Sequence, residues 1–363
     1  MSFPSLGRKP GRIPARWEDV TAAWMTQAIA RRCPGATVAG VRLVTRDDGT
    51  NRRARFAVDY AAGSGPASVF VKAHTPHHRW VHLRNGNLFN EARLFASGAQ
   101  LPVDHPFVYE AVADYLHLDF LLVMEDLARR GADPRDATRP LSVEQVANGL
   151  RGLARLHSRY WGFTARTDPA LRWVKTWAPT RGWQVGLRKR VPVGLARGAG
   201  QLPAAVTACS ADAIVDIWAR YVASLRKGTM TLLHGDAHIG NTYVLPDGSV
   251  GFLDWQVVRR GHWSQDVGYF LVGALTREDR RRNEAALIEE YRTALELPES
   301  RRPSAQEAWL HYRATPAYGL AIWLSTLGSD GYQSRDVSLA LARRYSSAFV
   351  ELETLSALAS IGA

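Results

Sequence analysis

Three short runs near the start of the chain carry strand periodicity. They are Val41 to Thr45, Arg55 to Tyr60 with Phe56, Val58 and Tyr60 alternating, and Ser68 to Lys72. Their connectors are short enough for an antiparallel meander. A helix is predicted before them, because Trp24, Met25, Ala28 and Ile29 fall on one face and Thr21 is placed to cap it. After them the period changes. Leu88, Glu91, Ala92 and Phe95 stand at i, i+3, i+4 and i+7, which predicts a helix over 87–95 with a carboxylate on its apolar stripe. Two further strands, Phe107 to Val112 and Leu118 to Val123, turn near Asp114. The expectation is five strands and one helix between Val41 and Glu125, following the opening helix.

Beyond Glu125 the pattern is helical. Val143, Val146, Ala147, Leu150, Leu153, Ala154 and His157 form a stripe from Ser142 to Trp161, and Ile214, Ile217, Trp218, Tyr221 and Leu225 mark a helix ending near Gly228. Later helices are expected at about 266–275, 278–295, 304–327 with a kink or break at Pro316, and 335–355. Residues 168–203 are basic and show no period. With Trp173, Trp177 and Trp183 among Gly and Pro, they read either as a loop-rich insertion over a pocket or as an amphipathic surface segment. The fold class is therefore α+β. The expected division is a loose arm over 1–16, a strand-rich lobe over 17–125 and a helical lobe over 126–363.

One stretch breaks the helical half. In TLLHGDAHIGNTYVLPDGSVGFLDW, from Thr231 to Trp255, two apolar runs flank Pro246-Asp247-Gly248, a turn in which Pro sets φ and Gly accepts the left-handed region. Pairing of Thr242–Leu245 with Val250–Leu253 brings Asn241 and Asp254 together at the open end. Asp236 then lies on the loop just before.

Composition narrows the class. A chain of 363 residues with 46% hydrophobic content can form two lobes around substantial cores. The net charge of +12 raises nucleic acid as a partner, but from Val257 onward 13 basic residues face 13 acidic ones, so the whole excess lies upstream. No nucleic-acid-binding motif accompanies it, and none is expected as a partner. The basic runs are either solvated surface or a field suited to an anionic cosubstrate. No run of eighteen apolar residues occurs and the basic N-terminus lacks an apolar core, so a cytoplasmic protein without a membrane span is expected. Cys33 and Cys209 have no ligand spacing and read as inert thiols.

The polar residues that stand out suit phosphoryl transfer, which needs positioning and charge neutralisation more than covalent work. Asp236 is the candidate to orient and deprotonate a substrate hydroxyl, and Asn241 and Asp254 are the candidate oxygen ligands for Mg2+. Lys72 closes an apolar strand and can reach the phosphates of ATP. Glu91, an inward carboxylate wanting a cation, is its expected partner. The connector Asp47 to Arg53 is either a plain hairpin turn or a wrap around phosphate.

Taken in order, these residues resemble the aminoglycoside phosphotransferase and choline kinase-like superfamily, a branch of the protein-kinase-like fold. His234-Gly235-Asp236 with Asn241 matches its HGDxxxxN motif, and Asp254-Trp255 resembles its metal-binding Asp-Trp. The resemblance implies a nucleotide loop at Gly49, Thr50, Asn51 and Arg52, a hinge at Met124, Glu125, Asp126 and Leu127 against adenine, and ATP between two lobes. It departs from protein kinases in lacking GxGxxG. Asp266 is expected to brace the catalytic loop, and His234 to shape the turn. The acceptor is expected to be a small, fairly hydrophobic alcohol, since aminoglycosides want several carboxylates and the C-terminal part carries Trp309, Tyr312, Tyr318 and Trp323 instead. An aminoglycoside kinase and a catalytically silent relative are the alternatives. The oligomeric state is open.

Overall fold

The computed structural model describes residues 13–48, 51–75 and 86–363. The expected arm over 1–16 lies largely outside the described residues, as do Gly49 and Thr50. Backbone contacts divide the chain into two compact units. One runs to Ala99 and resumes over Pro106–Gly131; the other comprises Gln100–His105 and Ala132–Ala363.

The first unit opens with helix α1 (Ala22–Ile29), whose Thr21 hydroxyl accepts from Trp24 N at 3.2 Å. Strands β1 (Thr37–Asp48), β2 (Asn51–Ala62) and β3 (Ser68–His74) form a meander. Helix α2 (Asn90–Ala96) follows, then β4 (Val108–Asp114) and β5 (Asp119–Glu125). The order is β1-β2-β3-β5-β4 and every pair is antiparallel. The first two strands run well past their apolar runs. Their far ends are held by cross-strand pairs of opposite charge, such as Asp47 opposite Arg53 with 2.5 Å between Oδ2 and Nη2.

Strand alternation builds two cores on the sheet. Val69, Val71, Ala73, Leu121 and Val123 pack on one face with Met25, Ala28 and Ile29 of α1. Phe120, Leu122 and Met124 take the other, with Leu88 and Ala92 beside α2. Lys72, one step from Val71 and Ala73, therefore points to the α2 side.

In the second unit, α3 (Val143–Arg159) starts at a capping box of Ser142 and Gln145. The irregular reading of 168–203 is corrected here: residues Arg181–Arg197 form helix α4, 17 residues long, capped by Thr180. Gly186, Gly194 and an internal Pro192 obscure its period, and only Leu187, Val191 and Gly194 are buried along it. Tertiary contacts hold it instead. Arg188 pairs with Asp212 and Asp216 of α5 (Ala211–Ser224), and a side chain at Gly194 would lie 1.9 Å from Leu324 O, so the close approach requires glycine.

Strand β6 (Met230–Leu233) leads into the loop of Asp236, and the expected hairpin forms from β7 (Thr242–Val244) and β8 (Val250–Phe252). Strand β9 (Arg259–His262) pairs antiparallel with β6. Helices α6 (Ser264–Ala274), α7 (Arg277–Ala294), α8 (Ala305–Ala314), α9 (Pro316–Leu327), α10 (Arg335–Glu351) and α11 (Thr354–Ser360) complete the unit. The predicted break at Pro316 separates α8 from α9. No helix among the described residues is long and apolar enough to cross a membrane.

An ion network ties α7 to α10. The Arg280 guanidinium is 1% exposed as a residue and reaches both Glu284 and Glu351, while Arg277 and Arg281 also donate to Glu351. Burial works to raise the Glu351 carboxyl, but hydrogen bonds from Arg281, Ser347 and Arg277 outweigh it and hold the group down to about 2. A depressed carboxylate stabilises the fold fully above its ordinary value near 4.5 and loses that contribution as pH falls toward about 2. Glu351→Gln is expected to lower stability at pH 7 by about 1–2 kcal/mol, solvent screening allowed for. Thermal melts should show the gap from wild type closing between pH 4.5 and 2; a gap unchanged over that range would contradict the assignment.

Candidate active site

Strand β6 ends at Leu233, where the chain must turn while its backbone donors lie buried. Gly235 takes φ +84°, and a Cβ there would sit 2.1 Å from Val257 O, so only glycine fits. The donors at the turn are met by one side chain. Asp266, fully buried in the first turn of α6, accepts from His234 N at 2.7 Å and Gly235 N at 2.9 Å. Its Oδ2 also lies 3.3 Å from His157 Nε2, and His157 Nδ1 lies 2.8 Å from the Tyr291 hydroxyl. His157 is thus a core histidine that orients the bracing carboxylate.

His234 locks the loop to the hairpin. Its Nε2 donates to Leu253 O at 2.7 Å and its Nδ1 accepts from Asp236 N at 3.2 Å, which sets a neutral ring with the proton on Nε2. Leu253 N donates to Asn241 O at 2.7 Å, so the residues before Asp254 and the end of the loop are joined by backbone. Asn241 Nδ2 donates to both Asp236 O at 2.9 Å and Asp236 Oδ2 at 3.2 Å. That leaves the amide oxygen as an acceptor. Asp254 adopts φ +59°, ψ +70°, a region an L residue rarely occupies and that proteins retain where function demands it.

The second unit therefore brings Asp236, Asn241 and Asp254 together. The Asp236 side chain is 30% exposed yet densely surrounded by protein. Burial first and the Asp254 carboxylate second push it up to about 7, against the pull of the Asn241 amide. Paired carboxylates with one raised value are characteristic of functional sites.

The first unit contributes a separate pair. Lys72 Nζ lies 2.6 Å from Glu91 Oε2, with side-chain exposures of 7% and 4%. Asn51 is buried at the start of β2, opposite His74. Arg52 lies differently from a phosphate-wrapping residue. It donates to the carbonyls of His74, Ala15 and Pro14 and covers the Trp17 ring at 4.9 Å. Of the four hinge residues, Met124 and Glu125 end β5, and Asp126 N-caps the short 3-10 turn Leu127–Arg130. Asp126 is also engaged by Ser68 Oγ at 2.7 Å and Arg55 Nε at 3.2 Å, so its carboxylate is a brace.

Sequence reasoning singled out Trp323 near Asp236 but not His238 or Tyr269. His238 Nε2 lies 3.8 Å from Asp236 Oδ2, and its ring meets Trp323 edge-on at 5.1 Å and Tyr269 at 5.9 Å. Burial, and then the His234 ring, hold His238 down to about 4, so it is neutral at neutral pH. The spacing of His238 two residues after Asp236 was the available signal. The four C-terminal aromatics do not act together. Tyr318 and Trp323 belong to this side, whereas Tyr312 donates to Glu284 at 2.6 Å in the ion network and stacks near Trp309.

A family model described as "Phosphotransferase enzyme family" matches residues 42–305. Among solved structures, a spectinomycin phosphotransferase in complex with ADP and spectinomycin is 15% identical over 92% of this chain and 99% of that one, with a TM-score of 0.50. A choline kinase from Streptococcus pneumoniae is 14% identical over 93% and 98%, at a TM-score of 0.47. No curated protein matches the sequence.

The brace gives a direct expectation. Asp266→Ala leaves two buried N–H groups without their acceptor, which costs about 2–4 kcal/mol. Denaturant unfolding of this variant beside Gln306→Ala, an exposed position on α8, should show the loss only in the first. Equal stability of the two would refute the bracing role.

Proposed function

The chain belongs to the phosphotransferase enzyme family, and we propose that it moves the γ-phosphate of ATP to a hydroxyl of a small, fairly hydrophobic acceptor with Mg2+ present. The coarser statement, a small-molecule phosphotransferase, follows from the family. The finer one is carried by a single observation: a carboxylate, Asp236, oriented by Asn241 and standing beside Asp254 on a loop that Asp266 holds from beneath.

The donors suit a hard cation. With its Nδ2 spent on Asp236, Asn241 keeps its amide oxygen as an acceptor, and Asp254 adds a carboxylate, an all-oxygen set of the kind Mg2+ takes. A bound divalent cation would neutralise phosphate charge and that of Asp254, and so would offset one of the three causes of the raised Asp236 value, the others being burial and the Asp266 charge. Asp236 accepts the proton of the acceptor hydroxyl and orients its oxygen for attack. A base titrating near neutrality is matched to that task. Lys72, fixed by Glu91, neutralises phosphate oxygens from the first unit. Asn51, Met124, Glu125, Asp126 and Leu127 are our candidates for the rest of the nucleotide, with Gly49 and Thr50, which lie outside the described residues. Arg52 supports that segment through the main chain rather than by direct contact. The spectinomycin phosphotransferase of like fold holds ADP, in keeping with a nucleotide substrate.

Acceptor class follows from what adjoins the base. The rings around His238 are Trp323 and Tyr269, and the imidazole itself is neutral. These groups add no further carboxylate for a polycation to pair with, while an apolar alcohol gains about 25 cal/mol for each Å² it buries. Relative kcat/KM for hydrophobic alcohols and aminoglycosides, assayed side by side, tests this. Strong turnover of aminoglycosides alone would defeat the acceptor assignment.

Asp236→Asn is nearly isosteric and keeps the loop contacts, so its thermal midpoint should stay close to wild type while acceptor-dependent ATP consumption falls roughly 10²–10⁴-fold. Consumption unchanged by the substitution would rule out Asp236 as the base.

A further inference from the structure

Away from the residues of the phosphotransfer site, one cluster gathers metal-ligating side chains. His262 closes β9, and Glu307 and His311 lie one turn apart on the same face of α8. One ring nitrogen from each histidine and one Glu307 carboxylate oxygen all lie within 4.8 Å of one another. The two imidazoles stack with centroids 4.1 Å apart and planes at 26°.

The surroundings prepare these groups as ligands. Ser264 Oγ lies 2.9 Å from His262 Nδ1 and holds that ring, and Trp263 walls it at 5.1 Å between centroids. Each imidazole contributes one ring nitrogen to the group, the atom a transition metal takes from histidine. Glu307 is exposed and supplies a negative charge at the solvent end, where an ion enters. Drawing three ligand atoms onto one ion at about 2.0–2.1 Å from each needs a closure of order 1 Å and a turn of the partly exposed His311 ring out of its stack, so that the two in-plane lone pairs converge; the exposed Glu307 side chain follows.

We propose that His262, Glu307 and His311 form a site for a divalent transition metal of the Zn2+ or Co2+ class, tying α8 to β9. Two imidazoles and a carboxylate select such ions over Mg2+, which prefers an all-oxygen shell, and three protein ligands leave a position for water. Strand β9 pairs with β6, the strand that delivers the chain to His234, and His262 stands four residues before Asp266. A metal here fastens the base of the catalytic loop from the side opposite to its chemistry. Sequence spacing hid the set, because only the Glu307–His311 pair is local and a lone pair at i, i+4 on a polar helix is common.

The test uses the full chain in excess Mg2+, which occupies the hard-oxygen donors of Asn241 and Asp254. Co2+ is titrated and its visible absorption followed; Zn2+ is then added. The expected result is saturable uptake of one Co2+ with a low-symmetry spectrum, bleached by Zn2+, and a thermal midpoint raised by several degrees when Zn2+ is bound. Glu307→Gln and His311→Gln, both outside the fully buried core, should each weaken Co2+ binding by at least about tenfold. Asn241→Ala should leave the spectrum in place. Absence of saturable Co2+ uptake, or uptake that both variants leave unchanged, would overturn the proposal and leave the stacked histidines as a packing pair.

Discussion

One buried carboxylate holds the loop that carries Asp236. A strand that ends in the protein interior leaves backbone N–H groups that cannot reach water, and each must find an acceptor. Asp266 supplies both oxygens to the two successive donors at His234 and Gly235, and the loop in turn supplies the charge-assisted hydrogen bonds that let a carboxylate sit in the core. Neither half is stable without the other. His157, fixed by Tyr291, completes the shell, so α3, α6 and α7 all bear on the orientation of a turn that none of them contains. The left-handed Gly235 is the covalent expression of the same constraint.

The strand-rich unit was legible because its signals are local and agree with one another. Alternation in β2, β3 and β5 assigns alternate residues to opposite faces, and the same parity that buries Val71 and Ala73 against α1 sends Lys72 toward α2. The helical stripe of α2 turns Glu91 back toward it. Two independent periodicities thus converge on one ion pair at 2.6 Å. The hairpin of β7 and β8 was equally open to reading, since a Pro-Asp-Gly turn between two apolar runs leaves little freedom of register.

What escaped the sequence depends on partners far along the chain. Helix α4 has a proline inside it, three glycines and few buried residues; it is a helix because α5 and α9 supply ion pairs and a close backbone contact. Arg52 stands in a segment that looks like a phosphate loop, yet its guanidinium is taken by main-chain carbonyls and the Trp17 face. The aromatics of the C-terminal half read as one set by composition, but the break at Thr315 sends Tyr312 to the ion network and Trp323 to His238. Spacing records which residues share a helix face, and says nothing about which neighbour that face meets.

The geometry around Asp254 concentrates unfavourable terms in one place. Its backbone occupies the left-handed region, its carboxylate raises the value of Asp236, and Asp236 is itself poor in solvent. Each of these costs stability, and random variation would remove them if the fold alone were at stake. They persist together because the hydrogen bonds from Asn241, the His234 bridge to Leu253 and the Asp266 brace over-determine the loop. The brace beneath, two hydrogen bonds from successive backbone donors to one buried carboxylate, keeps the loop from relieving these terms by moving.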